Sequence, residues 1–223
     1  MLITLMLFID FRKAFDLVES HLLLRKLHHL GFSQNALELI KHYFTDRSQY
    51  VNYNNHASNK SDLHLGVPQG SILGPLFFSL FINDLALYMT GLNKKLFADD
   101  TTLYRSAKDC SILVNDFQFH KKPLTNINFN KLDLNWSKTF FMFIKNKKCK
   151  YPSFIDVDGS NISVVNSFKL LGVTLDDKLT FNDFINTTKK SVNTKLYSIK
   201  RLFYLSTSVK IQFFKTFILP YFN

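Results

Sequence analysis

The feature that most constrains the fold is a pair of adjacent carboxylates, Asp99 and Asp100, set between apolar runs in LFADDTTLY. Adjacent carboxylates repel each other, so burial by itself does not favour them. A solvated hairpin turn is one explanation, because Asp is common in turns. The flanking runs predict strands at Lys94–Phe97 and Thr101–Tyr104, which places the pair at or beside the tip of a hairpin.

A second acidic motif lies at the start of the chain, where the apolar run Leu2–Ile9 ends at Asp10. A short, continuous apolar run of this kind is typical of a buried strand. Adjacent strands of one sheet would bring Asp10 together with Asp99 and Asp100. Such a cluster is unfavourable unless cations neutralise it, and Mg²⁺ takes carboxylate and phosphate oxygens.

The rest of the pattern predicts helices and short strands around an irregular loop. The loop is GVPQGSILGP, because its prolines and glycines exclude a regular element. Helices are predicted at Leu22–Leu30, Gln34 to about Phe44 after the N-cap Ser33, Pro75 to about Met89, Cys110–Phe119 (ended by Pro123), and from about Asn182 onward. Further strands are predicted at Gln49–Tyr53, Leu63–Val67, Thr139–Ile144, Phe154–Val157, Ile162–Val165 and Phe168–Leu175.

Composition supports a folded, basic protein. Of 223 residues 46% are hydrophobic, enough for a core, and the formal net charge is +11. Residues 1–130 hold 13 Lys and Arg against 11 Asp and Glu, whereas residues 131–223 hold 15 against 6. The usual partner of such a basic surface is a phosphate backbone, although a solvated basic face without a partner has the same composition.

Cysteine and histidine spacing indicates no metal site, and no segment indicates a membrane anchor. We expect Cys110 and Cys149 to be free thiols in a reducing compartment. The adjacent His28 and His29 are expected on a helix surface. MLITLMLFID lacks a basic n-region and a cleavage site, and no apolar run spans a bilayer. We therefore expect an intracellular protein, in the cytoplasm or nucleus, that does not contact a membrane.

Five motifs occur in a suggestive order: FIDFRKAFD, GVPQGSILGP, FADD, LDLNWSKT and KLLGV. Together they resemble the palm motifs of reverse transcriptases, most closely those of non-LTR (LINE-type) retrotransposons, over about residues 5–223. The resemblance implies an α+β polymerase palm, an antiparallel sheet backed by helices, over residues 1–180. A partial, basic, helical thumb would follow over residues 181–223. Because only nine residues precede Asp10, we expect the fingers to be mostly missing.

The resemblance also implies roles for the acidic residues. Asp10 and Asp99 would be metal-binding aspartates and Asp100 the third carboxylate, with the backbone carbonyl of Phe11 completing the shell of two Mg²⁺ (or Mn²⁺) ions. Asp16 does not match a catalytic position, and we expect it to accept backbone N–H groups at a helix start.

Other motif positions would contact substrate. Phe15 matches the steric gate that excludes a ribose 2′-OH, although a core Phe would look the same. Lys138 matches a lysine near the leaving pyrophosphate, although a surface lysine is the alternative. The resemblance implies that Pro68, Gln69 and Gly70 contact the nucleotide and template, in a loop that Gly66 also shapes. Leu171 and Gly172 would form the primer grip. The residues that would contact the nucleic-acid backbone are Lys189, Lys190, Lys195, Lys200 and Arg201.

The implied activity is RNA-directed DNA synthesis, with an RNA template, a DNA primer and dNTPs as partners. The primer 3′-OH would attack the α-phosphate of a dNTP at a two-metal site. The alternative is a non-catalytic, transposon-derived remnant that at most binds nucleic acid. An RNA-dependent RNA polymerase fits less well, because such enzymes commonly have Gly before the paired aspartates and a smaller residue near the Phe15 position.

Overall fold

The computed structural model describes residues 2–88, 91–119, 130–145, 149–157, 159–201 and 203–222. These residues form two compact units, Met1–Val165 and Asn166–Asn223. In chain order the elements of the first unit are β1 (Ile3–Ile9), α1 (Ser20–His29), α2 (Gln34–Phe44), β2 (Ser48–Gln49), β3 (Asn52–Tyr53), β4 (His56–Ala57), β5 (Ser61–Asp62), α3 (Leu73–Ile82), α4 (Leu85–Tyr88), β6 (Asn93–Phe97), β7 (Asp100–Ala107), α5 (Cys110–Phe119), β8 (Phe140–Ile144), β9 (Phe154–Val157) and β10 (Ser160–Ser163). The second unit contains β11 (Ser167–Leu170), β12 (Val173–Asp176), α6 (Asn182–Arg201) and α7 (Thr207–Phe217).

The first unit is built on a four-stranded antiparallel sheet in the order β6-β7-β1-β8. The apolar run of β1 lies at its centre, where Leu5 and Leu7 are fully buried. Helix α5 packs on β1 and β7, while α1 packs on α2 and α3. Large rings such as Phe78 and Phe141 fill the core. The predicted α+β class with an antiparallel sheet is confirmed.

Several predicted elements were wrong in their extent. The stretch predicted as a strand at Leu63–Val67 is a loop, because Gly66 and Val67 donate their N–H groups to the carbonyls of Val18 and Phe15 instead of joining a sheet. The strand predicted at Gln49–Tyr53 is divided between the two-residue strands β2 and β3, whose residues are exposed.

Two other elements are interrupted. The helix predicted from Pro75 is divided into α3 and α4, and Asp84, between them, accepts a 2.8 Å hydrogen bond from Nζ of Lys26. The strand predicted at Phe168–Leu175 is the hairpin β11–β12, because Leu171 and Gly172 both have positive φ, +47° and +88°, as a two-residue hairpin turn requires. The predicted helix end at Met89 and the interruption at Pro123 lie outside the described residues.

The prediction of free thiols was also wrong, because the structure joins Cys110 and Cys149 as a disulfide. Cys110 begins α5, and Cys149 lies shortly before β9, against which α5 packs. The two residues are 39 positions apart, so only the tertiary fold brings them together.

The compact units divide the chain between Val165 and Asn166, so the hairpin β11–β12 belongs with α6 and α7. The functional boundary at residue 180 stays a prediction.

Within the second unit, Asp176 at the end of β12 accepts hydrogen bonds from the backbone N–H groups of Lys178, Thr180 and Phe181. These bonds order the entry to α6 and hold the pKa of Asp176 below its usual value. Every helix in the described ranges is too short or too polar to cross a bilayer.

Candidate active site

The register of the central sheet places Asp10 beside Asp100. Strand β1 runs antiparallel to β7 with Ile9 opposite Thr101. Asp10 follows Ile9 and Asp100 precedes Thr101, so the two aspartates lie directly beyond the last pair of this ladder. Asp99 lies in the turn that connects β6 to β7. We call Asp10, Asp99 and Asp100 the carboxylate cluster.

The members of the carboxylate cluster lie close enough to interact through their charges. Burial raises the pKa of Asp100 above its usual value, and the negative charges of Asp99 and Asp10 raise this pKa further. Because these like charges repel, a cation bound between them would stabilise the cluster.

The donor chemistry of the cluster fits a hard divalent cation, because carboxylate oxygens are the ligands that Mg²⁺ prefers. Among the described residues, no three His, Cys, Asp or Glu side chains converge closely enough to hold a metal ion in this structure. A cation between the carboxylates of the cluster would offset their mutual repulsion and favour a closer approach. The cluster therefore fits a cation by its oxygen chemistry and its concentrated negative charge.

A cavity of about 610 Å³ opens beside the cluster. Its size suits a small-molecule ligand. Lys138 faces the same cavity as Asp10 and Asp99, and its role near a pyrophosphate stays a prediction. Sequence reasoning missed Arg12 and Lys13, although both closely follow the first aspartate in FIDFRKAFD. The cavity is lined by Asp10, Phe11, Arg12, Lys13, Leu17, Asp99, Asp133, Asn135 and Lys138.

The LDLNWSK segment extends the sheet beside the end of β1. Arg12 donates its backbone N–H to the carbonyl of Asp133 at 2.8 Å, and Asn135 donates its own to the carbonyl of Asp10 at 2.8 Å. These two bonds flank Phe11, which forms an antiparallel bridge with Leu134 and has a buried side chain. The segment thereby fixes the backbone that carries Asp10.

Asn135 also contacts the carboxylate cluster through its side chain. Its Nδ2 donates to Oδ2 of Asp10 at 2.8 Å. Sequence reasoning missed this residue, and the available signal was its polar side chain three positions before Lys138 in LDLNWSK. A neutral amide at this point holds an oxygen of Asp10 without supplying positive charge.

The GVPQG loop docks on the 3-10 turn Ala14–Leu17. Gly66 has φ +84°, and a Cβ at this position would lie 2.8 Å from Cα of Asp16, so only glycine fits. Nε2 of Gln69 donates to Oδ1 of Asp16 at 2.8 Å. Asp16 lies in the first turn of this 3-10 helix, as predicted, but its carboxylate accepts from Gln69 and not from backbone N–H groups, because the loop folds over the turn.

A second cavity, of about 800 Å³, lies against this loop. Pro68 and Gln69 line it, together with Arg47, whose guanidinium donates to the carbonyl of Gly66 at 2.8 Å. Lys13 and Leu17 line both cavities, so the two are neighbours. Gly70 has φ +80° and open space around it.

The surroundings of Phe15 are compatible both with a steric gate and with a core side chain. Its ring is half-buried and stacks on Phe78, with 4.3 Å between centroids. It is not among the residues that line either cavity. The ring is therefore anchored in the core, and its steric-gate role stays a prediction.

In the second unit, Leu171 and Gly172 form the tip of the β11–β12 hairpin, and Leu171 is exposed. The basic residues of α6 divide between two faces. Successive helix positions rotate by about 100°, which places four of them within an arc of about 120°. All four are exposed, and we call them the basic face: Lys189, Lys190, Lys200 and Arg201.

Lys195, which the sequence prediction groups with these cations, lies outside the basic face, and its contact with nucleic acid stays a prediction. Its Nζ donates to the carbonyl of Phe217 at 3.3 Å and lies 4.7 Å from the ring centre of Tyr221. Its position on the helix turns it toward α7, so it contributes to helix packing.

The chain is similar to known polymerases in sequence. Residues 2–175 match the family model described as reverse transcriptase (RNA-dependent DNA polymerase). The chain is 26% identical to the RNA-directed DNA polymerase from mobile element jockey of Drosophila melanogaster, over 96% of this chain and 24% of the relative. It is 29% identical to the probable RNA-directed DNA polymerase from transposon BS of the same organism, over 87% of this chain and 22% of the relative.

The fold is similar to a solved structure as well. Apo telomerase from Candida tropicalis, truncated from its C-terminal domain, matches with a TM-score of 0.56 at 14% identity, over 81% of this chain and 35% of that chain. The chain spans about a quarter of the length of the curated relatives it matches. The predicted resemblance to non-LTR retrotransposon polymerases is confirmed: with three-quarters of its length matched by the family model, this chain belongs to the reverse transcriptase family.

Proposed function

We propose that this chain performs template-directed DNA synthesis, with the carboxylate cluster as its catalytic centre. The observation that carries the proposal is the β1–β7 register, which sets Asp10 beside Asp100 at one end of the sheet in a chain of this family. The family binds nucleic acid and uses divalent metal ions. The finer assignments, to an RNA template, a DNA primer, dNTPs and two Mg²⁺ or Mn²⁺ ions, are part of the proposal.

In this proposal Asp10 and Asp99 hold the cations, Asp100 adds charge, and the carbonyl of Phe11 supplies a further oxygen. When bound, the metal ions would lower the pKa of the primer 3′-OH and stabilise charge on the pyrophosphate. The protein's contribution is mainly positioning and charge, as is usual in phosphoryl transfer.

The cationic wall of the first cavity suits a triphosphate. Lys138, Arg12 and Lys13 line the cavity that also holds Asp10 and Asp99, so their charges can neutralise phosphate oxygens there. Lys138 is proposed to lie near the leaving pyrophosphate. Phe15 is proposed to exclude a ribose 2′-OH from its anchored position on Phe78.

The GVPQG loop is proposed to contact the base pair that forms. Gln69 is held by Asp16 at the mouth of the second cavity, and Pro68 and Gly70 shape the backbone around it. This contact would fix the incoming nucleotide against the template.

The second unit is proposed to bind the primer–template. The basic face of α6 would contact the nucleic-acid backbone through charge, without reading sequence. Leu171 and Gly172 would form the primer grip. A telomerase from Candida tropicalis is known in complex with a fragment of telomeric RNA, and its fold is similar to this chain (TM-score 0.52), which supports an RNA partner.

Primer extension tests the proposal. Purified protein receives an RNA template, a 5′-labelled DNA primer, dNTPs and Mg²⁺, and the matched variants are Asp99→Asn and Asp46→Asn. Asp46 is exposed in a turn at φ +53°, a conformation that Asn tolerates, and it does not line the cavity beside the carboxylate cluster, so its variant removes the same charge at another place. We expect extension by the wild type and Asp46→Asn and none by Asp99→Asn. Folded wild type that binds primer–template without extending it would contradict the proposal and favour a non-catalytic, nucleic-acid-binding remnant.

A further inference from the structure

Asn135 contacts Asp10 through two separate groups. Its side-chain Nδ2 donates to Oδ2 of Asp10 at 2.8 Å. Its backbone N–H donates to the carbonyl of the same residue, also at 2.8 Å. The pair of contacts fixes both the main chain and the carboxylate of Asp10, although the two residues are 125 positions apart.

Two neighbouring hydroxyls also hydrogen-bond to Asn135. Because a carboxylate oxygen accepts, the NH₂ group of Asn135 faces Oδ2 of Asp10, and Oγ of Ser137 donates to Oδ1 of Asn135 at 2.7 Å. Oγ1 of the buried Thr139 donates to the carbonyl of Asn135 at 2.9 Å and accepts from the backbone N–H of Asp10 at 3.4 Å. Ser137 therefore contacts the side-chain amide of Asn135, and Thr139 contacts its backbone carbonyl.

The neutrality of this donor matters for a cation site. A Lys or Arg in the same place would neutralise Asp10 and compete with a bound cation. An amide satisfies one carboxylate oxygen and keeps the negative charge, which leaves Oδ1 of Asp10 for another ligand. Groups that orient ligand side chains in this way strengthen metal sites.

We propose that Asn135 is a positioning residue that orients the Asp10 carboxylate for cation binding. This inference rests on the proposed function of the carboxylate cluster. Ser137 supports it indirectly, by donating a hydrogen bond to the Oδ1 atom of the same amide.

The test is a calorimetric titration of Mg²⁺ into the whole chain, with circular dichroism as the check on folding. The variants are Asn135→Ala and Ser137→Ala. The control is Asn59→Ala, whose side chain is exposed in a loop that is distant in sequence from both Asp10 and Asn135. We expect Asn135→Ala to weaken Mg²⁺ binding on the order of tenfold. Ser137→Ala should weaken it less, and Asn59→Ala should leave it unchanged. The Mg²⁺ concentration that gives half-maximal primer extension should rise in parallel for both site variants.

The outcomes separate this inference from the proposed function. Wild-type Mg²⁺ affinity in folded Asn135→Ala, with binding lost in Asp99→Asn, would overturn the role of Asn135 and leave the cation site standing. Binding that survives Asp99→Asn would instead contradict the proposed site, and a wild type that binds no Mg²⁺ would overturn both. If Asn135→Ala does not fold, unchanged affinity in Ser137→Ala overturns the inference.

Discussion

At the scale of single residues, Asp100 sets the electrostatic state of the carboxylate cluster. Burial and the charges of Asp99 and Asp10 raise its pKa in the folded protein. The folded state therefore binds a proton more readily than the unfolded chain does, so ionised Asp100 destabilises the fold above its raised pKa. This destabilisation disappears as the pH falls below the ordinary pKa that Asp100 has in the unfolded chain.

We predict that Asp100→Asn raises the melting temperature in metal-free buffer at about pH 7. This gain should shrink as the pH falls toward the ordinary pKa of an unfolded Asp, about 4, because the wild-type carboxyl gains its proton over that range. Thermal unfolding followed by circular dichroism measures the difference, with Asp46→Asn as the charge-matched control. An increase in melting temperature by Asp100→Asn that grows as the pH falls would contradict this explanation.

Gly66 and Gly70 form a matched pair at the same scale, since both have positive φ but only Gly66 faces a crowded backbone. We predict that Gly66→Ala lowers the free energy of unfolding by about 2–3 kcal/mol, from conformational strain and displacement of Asp16. Gly70→Ala should cost about 1 kcal/mol, from strain alone. Urea titrations of both variants compare the two costs, and equal costs would show that the docking of Gly66 on Asp16 is not tight.

At the scale of elements, the Cys110–Cys149 disulfide ties the start of α5 to the segment before β9. Opening a closed loop of this length is expected to reduce stability by about 4 kcal/mol, by chain entropy. We predict that Cys149→Ser lowers the free energy of unfolding by up to about 4 kcal/mol. Reductant should destabilise the wild type but not the variant.

The matched measurement is thiol alkylation of denatured protein followed by mass spectrometry. Wild type purified without reductant should take up no label, and after reduction it should take up two. Two labels without prior reduction would show that the cysteines are free, as their spacing in the sequence predicts.

At the scale of elements, the sequence alone predicts local features of the structure but not its long-range contacts. The apolar run of β1 and the acidic tip after β6 predict a sheet edge with three carboxylates, because strand alternation and turn chemistry are local properties. The contacts of Asn135 with Asp10, of Asp16 with Gln69 and of Cys110 with Cys149 are not local. They depend on which distant segments the core packs together, and no periodicity in the sequence encodes that choice.

Helix faces give an intermediate case. Composition alone predicts the basic character of α6, but it groups the five cations without regard to the face that packs. Lys195 lies on the side that meets α7, whereas the basic face points away from that contact. The helical period separates them once the packed side is known.

At the scale of the whole molecule, the basic face predicts how binding to nucleic acid depends on salt. Removing one cation that binds a phosphate should lower the slope of log affinity against log salt by about 1. We predict that Lys189→Gln with Lys190→Gln weakens binding to primer–template and flattens this slope by about 2, measured by fluorescence anisotropy between about 50 and 200 mM salt.

Lys195→Gln is the control for that experiment, because it removes the same kind of charge from the packed side of the same helix. Its slope should match the wild type once folding has been checked. An unchanged slope in the double variant would remove the basic face from the nucleic-acid interface.

The central claim is that Asp10, Asp99 and Asp100 together bind the divalent cations of a reverse transcriptase family chain. Electron paramagnetic resonance of Mn²⁺ titrated into the protein measures it most directly, by counting bound ions in the wild type, Asp10→Asn, Asp99→Asn and Asp46→Asn. The account predicts Mn²⁺ binding by the wild type and Asp46→Asn that is weakened at least tenfold by either cluster substitution. Equal Mn²⁺ binding in all four proteins would contradict it.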